Sequence, residues 1–320
     1  MAAPTNTITQ ATITSGDATI LQTWLNRTTL ENLEPNLFFY KMGKVAPAPK
    51  GYQTVRWAKF SKLTASVVNM TLTEGETPEA VAMTASSVYA TPAQYGDLCI
   101  ISDIAAENNV IDFVKGAVTN LSANLARVID KVIQAALISG ATHKFYGPLN
   151  AQTVDNIAAS NSITAASLAY IYAYLENHSA PKYDGKNYIC ITDAYNAHAL
   201  RTETGTGNWL EVNKYVDNKG ILNGEIGTLN GFRIIVSPNI DTVAMGVSSA
   251  VNGHPAFCFG KDTYGVTDWQ NVKTYITGAG ATKDDPIDQR RYVGVKCAFA
   301  ATVLEADSLV VNYFGSAVTL

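Results

Sequence analysis

An α+β fold follows from three features of this 320-residue chain. One long helical pattern lies in its first half, strand-like runs lie before it and much later after it, and strands alternate with helices in between. The helix is read over Asn109 to Ser139, where Val114, Val118, Leu121, Leu125, Val128 and Val132 alternate steps of four and three into one apolar stripe. Asn109 with Asp112 makes a variant capping box, and Gly140 stands where a C-cap glycine belongs. At ~1.5 Å per residue such a helix is roughly 40 Å long and needs a sheet to lie against.

Residues 1–20 are polar and poor in large apolar groups, which predicts an arm ordered only on a partner. Leu21 to Tyr40 is amphipathic and predicts a short helix broken near Pro35, and Pro47, Pro49 and Gly51 punctuate before a new unit. Tyr52 to Phe60 and Met83 to Ala90 read as strands, joined through LTEGETPEA, whose Glu74, Gly75, Glu76, Thr77 and Pro78 favour turns. A two-stranded excursion of that length is marginal alone and is expected to lie on something else, such as another subunit.

After the long helix, Thr142 to Asn161 is a polar stretch, and a helix starts near Thr164 with Leu168, Ile171, Tyr172 and Leu175. Tyr188 to Thr192 is a short buried strand, and Asp193 caps a helix through Arg201. Two Asn-Gly turn signals precede the strand Phe232 to Val236, and Ala256 to Phe259 is a further apolar run. From Val293 to Val303 apolar residues alternate onto one face, Glu305 to Asp307 turns the chain, and Leu309 to Phe314 is expected to run back as a hairpin beneath the long helix.

Composition narrows the function. Hydrophobic residues make up 47% and charged residues 16%, below the usual quarter, as in a chain that hides much of its surface against partners or in a secreted β-rich protein. A net charge of −4 argues against a basic groove that wraps nucleic acid, while a surface that merely faces DNA remains compatible. Cys99, Cys190, Cys258 and Cys297 are far apart and mostly in apolar runs, so they read as small buried hydrophobes of a reducing compartment. No export signal or membrane-spanning window is present in the sequence.

His143, His178, His198 and His254 are each isolated in sequence and form no metal-binding pattern. Gly278 to Lys283 and Gly205 to Gly207 lack the spacing of phosphate or dinucleotide loops, and Asp284-Asp285 reads as a turn with Arg290 and Arg291 as partners. No nucleophile–base pattern and no cofactor motif is present, so no catalytic, cofactor-binding or metal residues are assigned and the chain is expected not to be an enzyme.

Four segments then resemble a known family in order along the chain: Leu72 to Ala80, Ala90 to Asp103, Asn223 to Ile240 and Asp285 to Ala300. They resemble the major capsid proteins of tailed bacteriophages with the Hong Kong 97-type fold, and within them the branch typified by the phage N-four capsid protein. The resemblance implies an N-terminal arm (1–50), an extended β-hairpin loop (51–95), a peripheral domain (96–160 and 276–320) with its spine helix at about 109–139, and an α/β axial domain (161–275) that packs around five-fold and six-fold axes. It implies a structural protein assembling as pentamers and hexamers into an icosahedral shell around double-stranded DNA, in the virion and first in the host cytoplasm. A separate scaffolding protein, a portal and a decoration protein are the other implied partners; with only about 20 residues before the first apolar helix, scaffolding is expected to come from a separate protein. Contact residues between subunits are expected at Arg56, Trp57, Lys59, Lys62, Glu74, Gly75, Glu76 and Glu79, with the acidic turn meeting Arg56, Lys59 or Lys62 across a boundary. Competing readings are an encapsulin-like shell around a cargo enzyme, an α+β enzyme with an unrecognised site, and a secreted adhesin or surface-layer protein.

Overall fold

The computed structural model describes residues 7–8, 38–47, 53–60, 63, 70–72, 74–77, 80, 82–107, 113–203, 225–247, 251–276, 285–287 and 289–316. In chain order its strands are β1 (Thr7–Ile8), β2 (Lys44–Pro47), β3 (Val55–Phe60), β4 (Ala85–Ala90), β5 (Ala93–Ser102), β6 (His143–Tyr146), β7 (Tyr188–Thr192), β8 (Glu225–Leu229), β9 (Phe232–Val236), β10 (Val243–Met245), β11 (Val251–Phe259), β12 (Tyr264–Ile276), β13 (Arg290–Val303) and β14 (Leu309–Phe314). Its helices are α1 (Phe38–Met42), α2 (Asp103–Glu107), α3 (Phe113–Gly140), α4 (Ala165–Asn177) and α5 (Ala194–Thr202). One sheet runs β1-β5-β13-β12-β2, a second runs β6-β14-β11-β7-β9-β8 with β10 on β11, and β3 and β4 form a separate ribbon.

Helix α3 buries one side in the same core as Val293, Val295, Cys297 and Phe299 of β13. The buried line is Leu121, Leu125, Ile129, Ile133 and Leu137, all in steps of four. Each such step advances about 40° around the helix, so the line drifts slowly, as packing across a twisted sheet requires. Of the expected stripe, Leu121 and Leu125 lie on this line, whereas Val118, Val128 and Val132 are half-buried flanks. Gly140 is the last helical residue and not a left-handed cap, since it is not among the glycines with positive φ. It is small for another reason: a Cβ there would stand 2.6 Å from Val303 Cγ2. Asn109 and Asp112, the expected cap, lie outside the described residues.

The long C-terminal hairpin is not formed. β13 pairs antiparallel with β12 and β5, whereas β14 pairs with β11 and β6, so the turn through Glu305 to Asp307 carries the chain from one sheet into the other. β6 and β14 belong to the seven-stranded sheet and β12 to the five-stranded one. β6 lies inside the stretch read as polar, and Phe145 buries it. Within the expected arm, Thr7 and Ile8 pair with Ile100 and Ile101 of the same chain. The helix expected over Leu21 to Tyr40 lies outside the described residues except at its end, where α1 continues to Met42.

The seven-stranded sheet and α4 enclose a second core of Leu168, Ile171, Leu175, Cys190, Cys258, Val310 and Phe314. Thr164 caps α4 in a reciprocal box with Ser167, and Asp193 caps α5 by accepting from the Asn196 amide. Asn230 (φ 47°) and Gly231 (φ 77°) are both left-handed, as a two-residue hairpin turn between β8 and β9 demands.

Candidate assembly surface

In the ribbon, β3 pairs with β4 from Val55↔Ala90 to Phe60↔Ala85, so directly opposed residues share a face. Val55, Trp57 and Lys59 alternate inward with Arg56, Ala58 and Phe60 outward. Val55 and Ala90 are buried at the root. Trp57 lies on Gly265 of β12, where a Cβ would come within 2.8 Å of its ring. Lys59 Nζ reaches Glu305 Oε2 at 2.6 Å, tying the ribbon to the turn that links the two sheets. Beneath this pair a cleft of about 500 Å³ is walled by Val88, Ser139, Gly140 and Val303 among others.

The outward face differs in character. Arg56 Nε donates to Ser87 Oγ at 2.7 Å, and its guanidinium lies 6.0 Å from the Tyr89 ring centre. Phe60, Leu63, Met70, Leu72, Met83 and Tyr89 are all more than half exposed, between 55% and 71%. An isolated ribbon carrying that much apolar surface into water is unstable unless something covers it. Glu74, Gly75 and Glu76 are exposed in a turn that Gly75 (φ 84°) permits. Lys62 and Glu79 lie outside the described residues. The structure thus brings Trp57 and Lys59 to the body of the same chain and leaves Arg56 and the acidic turn on the outside.

Helix α1 is held against the body by buried polar groups. Asp130 of α3 is fully buried, and its Oδ2 accepts the Phe38 amide at 3.2 Å. Burial raises its carboxyl to about 6, outweighing the opposite pull of the Phe38, Tyr40 and Phe39 amides and of Lys41. The Tyr264 hydroxyl donates to the Phe39 carbonyl, and the Tyr40 hydroxyl to Asp268.

The histidines are less isolated than their spacing suggests. His143 Nδ1 bonds the Tyr174 hydroxyl at 2.7 Å, and the His143 and His178 rings lie 5.4 Å apart. The buried His254 bonds Asp193 through Nδ1, joining β11 to the head of α5. Among the described residues no three His, Cys, Asp or Glu side chains gather as metal ligands. All four cysteines are free; Cys190 and Cys258 face each other across β7 and β11, and burial pushes the Cys258 thiol well up. Gly205 to Gly207 and Gly278 to Lys283 lie outside the described residues, and Asp285 accepts the Arg290 amide at 2.7 Å.

Solved structures share this fold. The capsid protein of Ralstonia phage GP4 superposes with a TM-score of 0.71 at 12% identity, covering 95% of this chain and 98% of its own. That of cyanophage P-SCSP1u gives 0.65 at 15% identity over 89% and 90%, and the head of Helicobacter pylori bacteriophage KHP40 gives 0.61 at 15% over 86% and 91%. No curated protein matches. The model of the phage capsid protein family matches residues 85–312, well over half the chain. With that match and the shared architecture, this chain belongs to the phage capsid protein family and is a structural protein, not an enzyme.

Proposed function

We propose that the chain is the repeating head subunit of a tailed bacteriophage of the Hong Kong 97-type fold, in the branch typified by the phage N-four capsid protein. It assembles as pentamers and hexamers into an icosahedral shell around double-stranded DNA. The observation that carries this is the β3–β4 ribbon, whose outward face exposes Phe60 and Tyr89, with Leu63, Met70 and Leu72 exposed as well, while its root is fixed by Trp57 and Lys59. In a shell of identical subunits each such surface has a copy to cover it, and many modest contacts add up.

In this reading residues 1–50 are the arm, 51–95 the extended loop, 96–160 and 276–320 the peripheral domain and 161–275 the axial domain. Arg56, Lys62, Glu74, Gly75, Glu76 and Glu79 belong to the contact between subunits, while Trp57 and Lys59 hold the ribbon to its own chain. Lys59 is already engaged by Glu305 of its own chain, so the acidic turn draws its partner from elsewhere. Assembly takes place in the bacterial cytoplasm, with a separate scaffolding protein, portal and decoration protein as partners, and the net negative charge lets packaged DNA slide. Electron microscopy of the purified protein tests the reading. Closed shells, tubes or rings of five or six are expected; a uniform monomer or dimer at high concentration, with or without scaffold, overturns it. Shells that copurify with a cargo enzyme in place of DNA would mark an encapsulin-like container.

A further inference from the structure

Two of the four cysteines meet inside the seven-stranded sheet, and assembly gives them no task. Cys190 of β7 and Cys258 of β11 are directly opposed partners in an antiparallel pair. Their row continues to Ile234 of β9 on one side and Val310 of β14 on the other. All four side chains are fully buried in the core shared with α4. The two thiols are hydrogen-bonded to each other. Cys99 and Cys297 lack any such placement, since they oppose Val293 and Tyr95.

Opposed residues of an antiparallel pair have Cα atoms about 4.5 or 5.5 Å apart. A disulfide requires about 4.4–6.8 Å, so this backbone already stands at bridging distance. Cross-strand Cβ atoms are about 4.5–5.5 Å apart, however, against about 3.8 Å in a relaxed disulfide. Closing the bridge therefore draws β7 and β11 together, and that strain makes it readily reduced again. We propose that Cys190 and Cys258 are a latent cross-strand disulfide, held as thiols in a reducing interior and closed by peroxide in an oxidising medium. One thiol takes an oxygen atom from hydrogen peroxide, giving a sulfenic acid and water. The partner sulfur attacks it, the S–S bond forms and a second water leaves. Two thiols are thus oxidised, one peroxide is reduced, and the protein loses two hydrogens. Burial holds the Cys258 thiol protonated, and the thiolate is the reactive form, so closure is slow and waits on local opening of the sheet. Once closed, the bridge encloses α5, β8, β9 and β10 in a covalent loop and restricts that segment when the chain unfolds. The chemistry belongs to a single chain; only its occasion, a finished particle leaving the host interior, rests on the capsid reading.

Hydrogen peroxide added to native Cys99→Ser/Cys297→Ser protein tests the proposal. The expected result is a mass lower by about 2 Da, a proteolytic peptide linking positions 190 and 258, and reversal by dithiothreitol. Unfolding in denaturant is expected to slow at least about tenfold on oxidation. With Cys258→Ser added, neither the bridge nor the slower unfolding is expected. Thiols that survive peroxide, that over-oxidise without bridging, or that bridge only after denaturation overturn the proposal. So does an oxidised chain that unfolds no more slowly. Should the first variant not fold, wild-type protein is mapped directly, and absence of the linked peptide is decisive against the bridge. In particles, alkylation under denaturing conditions is expected to find all four thiols free at the moment of lysis and only Cys99 and Cys297 free after storage in air-saturated buffer with peroxide. Four free thiols in both samples overturn the switch. Protein that bridges but never forms shells overturns the capsid reading and leaves the disulfide standing.

Discussion

Asp130 sits fully buried on the core side of the spine helix, where it acts electrostatically with Lys41 of α1 and the Tyr264 hydroxyl of β12. Its folded value, about 6, lies above the ordinary 3.8, so the folded chain holds this proton more tightly than the unfolded one. Stability from this group is therefore fully present below about 3.8 and is lost as pH rises through about 6. Asp130→Asn keeps an acceptor for the Phe38 amide and removes the charge. It is expected to melt higher than wild type at pH 7.5, with the difference shrinking at pH 4.5; thermal unfolding at the two pH values checks this. Gly265→Val is expected to lift Trp57 from the sheet, cost about 1–3 kcal/mol and shift tryptophan fluorescence to the red. A Lys59→Ala change at the half-exposed pair with Glu305 should cost no more than about 1 kcal/mol in chemical denaturation. Neither Asp130 nor Gly265 stands out in the sequence, because what makes each matter is a neighbour far along the chain: Phe38, 92 positions away, for Asp130, and the Trp57 ring for Gly265.

Elements were legible where local chemistry and packing agree. Thr164 and Asp193 cap the helices they were expected to start, and Tyr188 to Thr192 is buried throughout. The spine helix was legible as a helix but not in its exact face, because apolar residues also occupy its flanks. Ile133→Ala is accordingly expected to cost about 2–5 kcal/mol and Val132→Ala clearly less, as denaturant unfolding of the two variants would show. β12 was not legible at all. Its alternation is interrupted by irregularities between Asp268 and Gln270 and between Gln270 and Lys273, and its outer half mixes polar and apolar residues. That hid the opposition of Lys273 and Lys296. The hairpin misreading has a related cause: two good strands separated by a short turn fit a hairpin equally well whether they pair with each other or part to different sheets.

At the scale of the whole molecule, the low fraction of charge and the exposed apolar ribbon agree with the family to which the chain belongs. Order along the chain made the family legible, since four short segments around one long helix are hard to assemble by chance even though no one of them is decisive. The division into sheets was not, because β6 and β14 each join a sheet whose other strands are distant in sequence. If carboxylate–lysine contacts contribute between subunits, raising salt from 0.1 to 1 M shortens the screening length from about 10 to 3 Å. The protein concentration needed for assembly is then expected to rise for wild type and to change less for a variant with Glu74→Gln and Glu76→Gln, as light scattering would report.

The fixing of Trp57 on Gly265 and of Lys59 on Glu305 has a mechanical consequence. It makes the ribbon a lever with its fulcrum at the margin of the five-stranded sheet. Strand β3 carries 6 residues out from this root, a reach of roughly 20 Å at ~3.3 Å per residue. A force applied at the ribbon's tip acts on the fulcrum as a torque over that arm, and Glu305 hands it to the crossover between the two sheets. Load on the ribbon is thereby delivered to the seam of its own subunit, which is where a container under internal pressure would register strain.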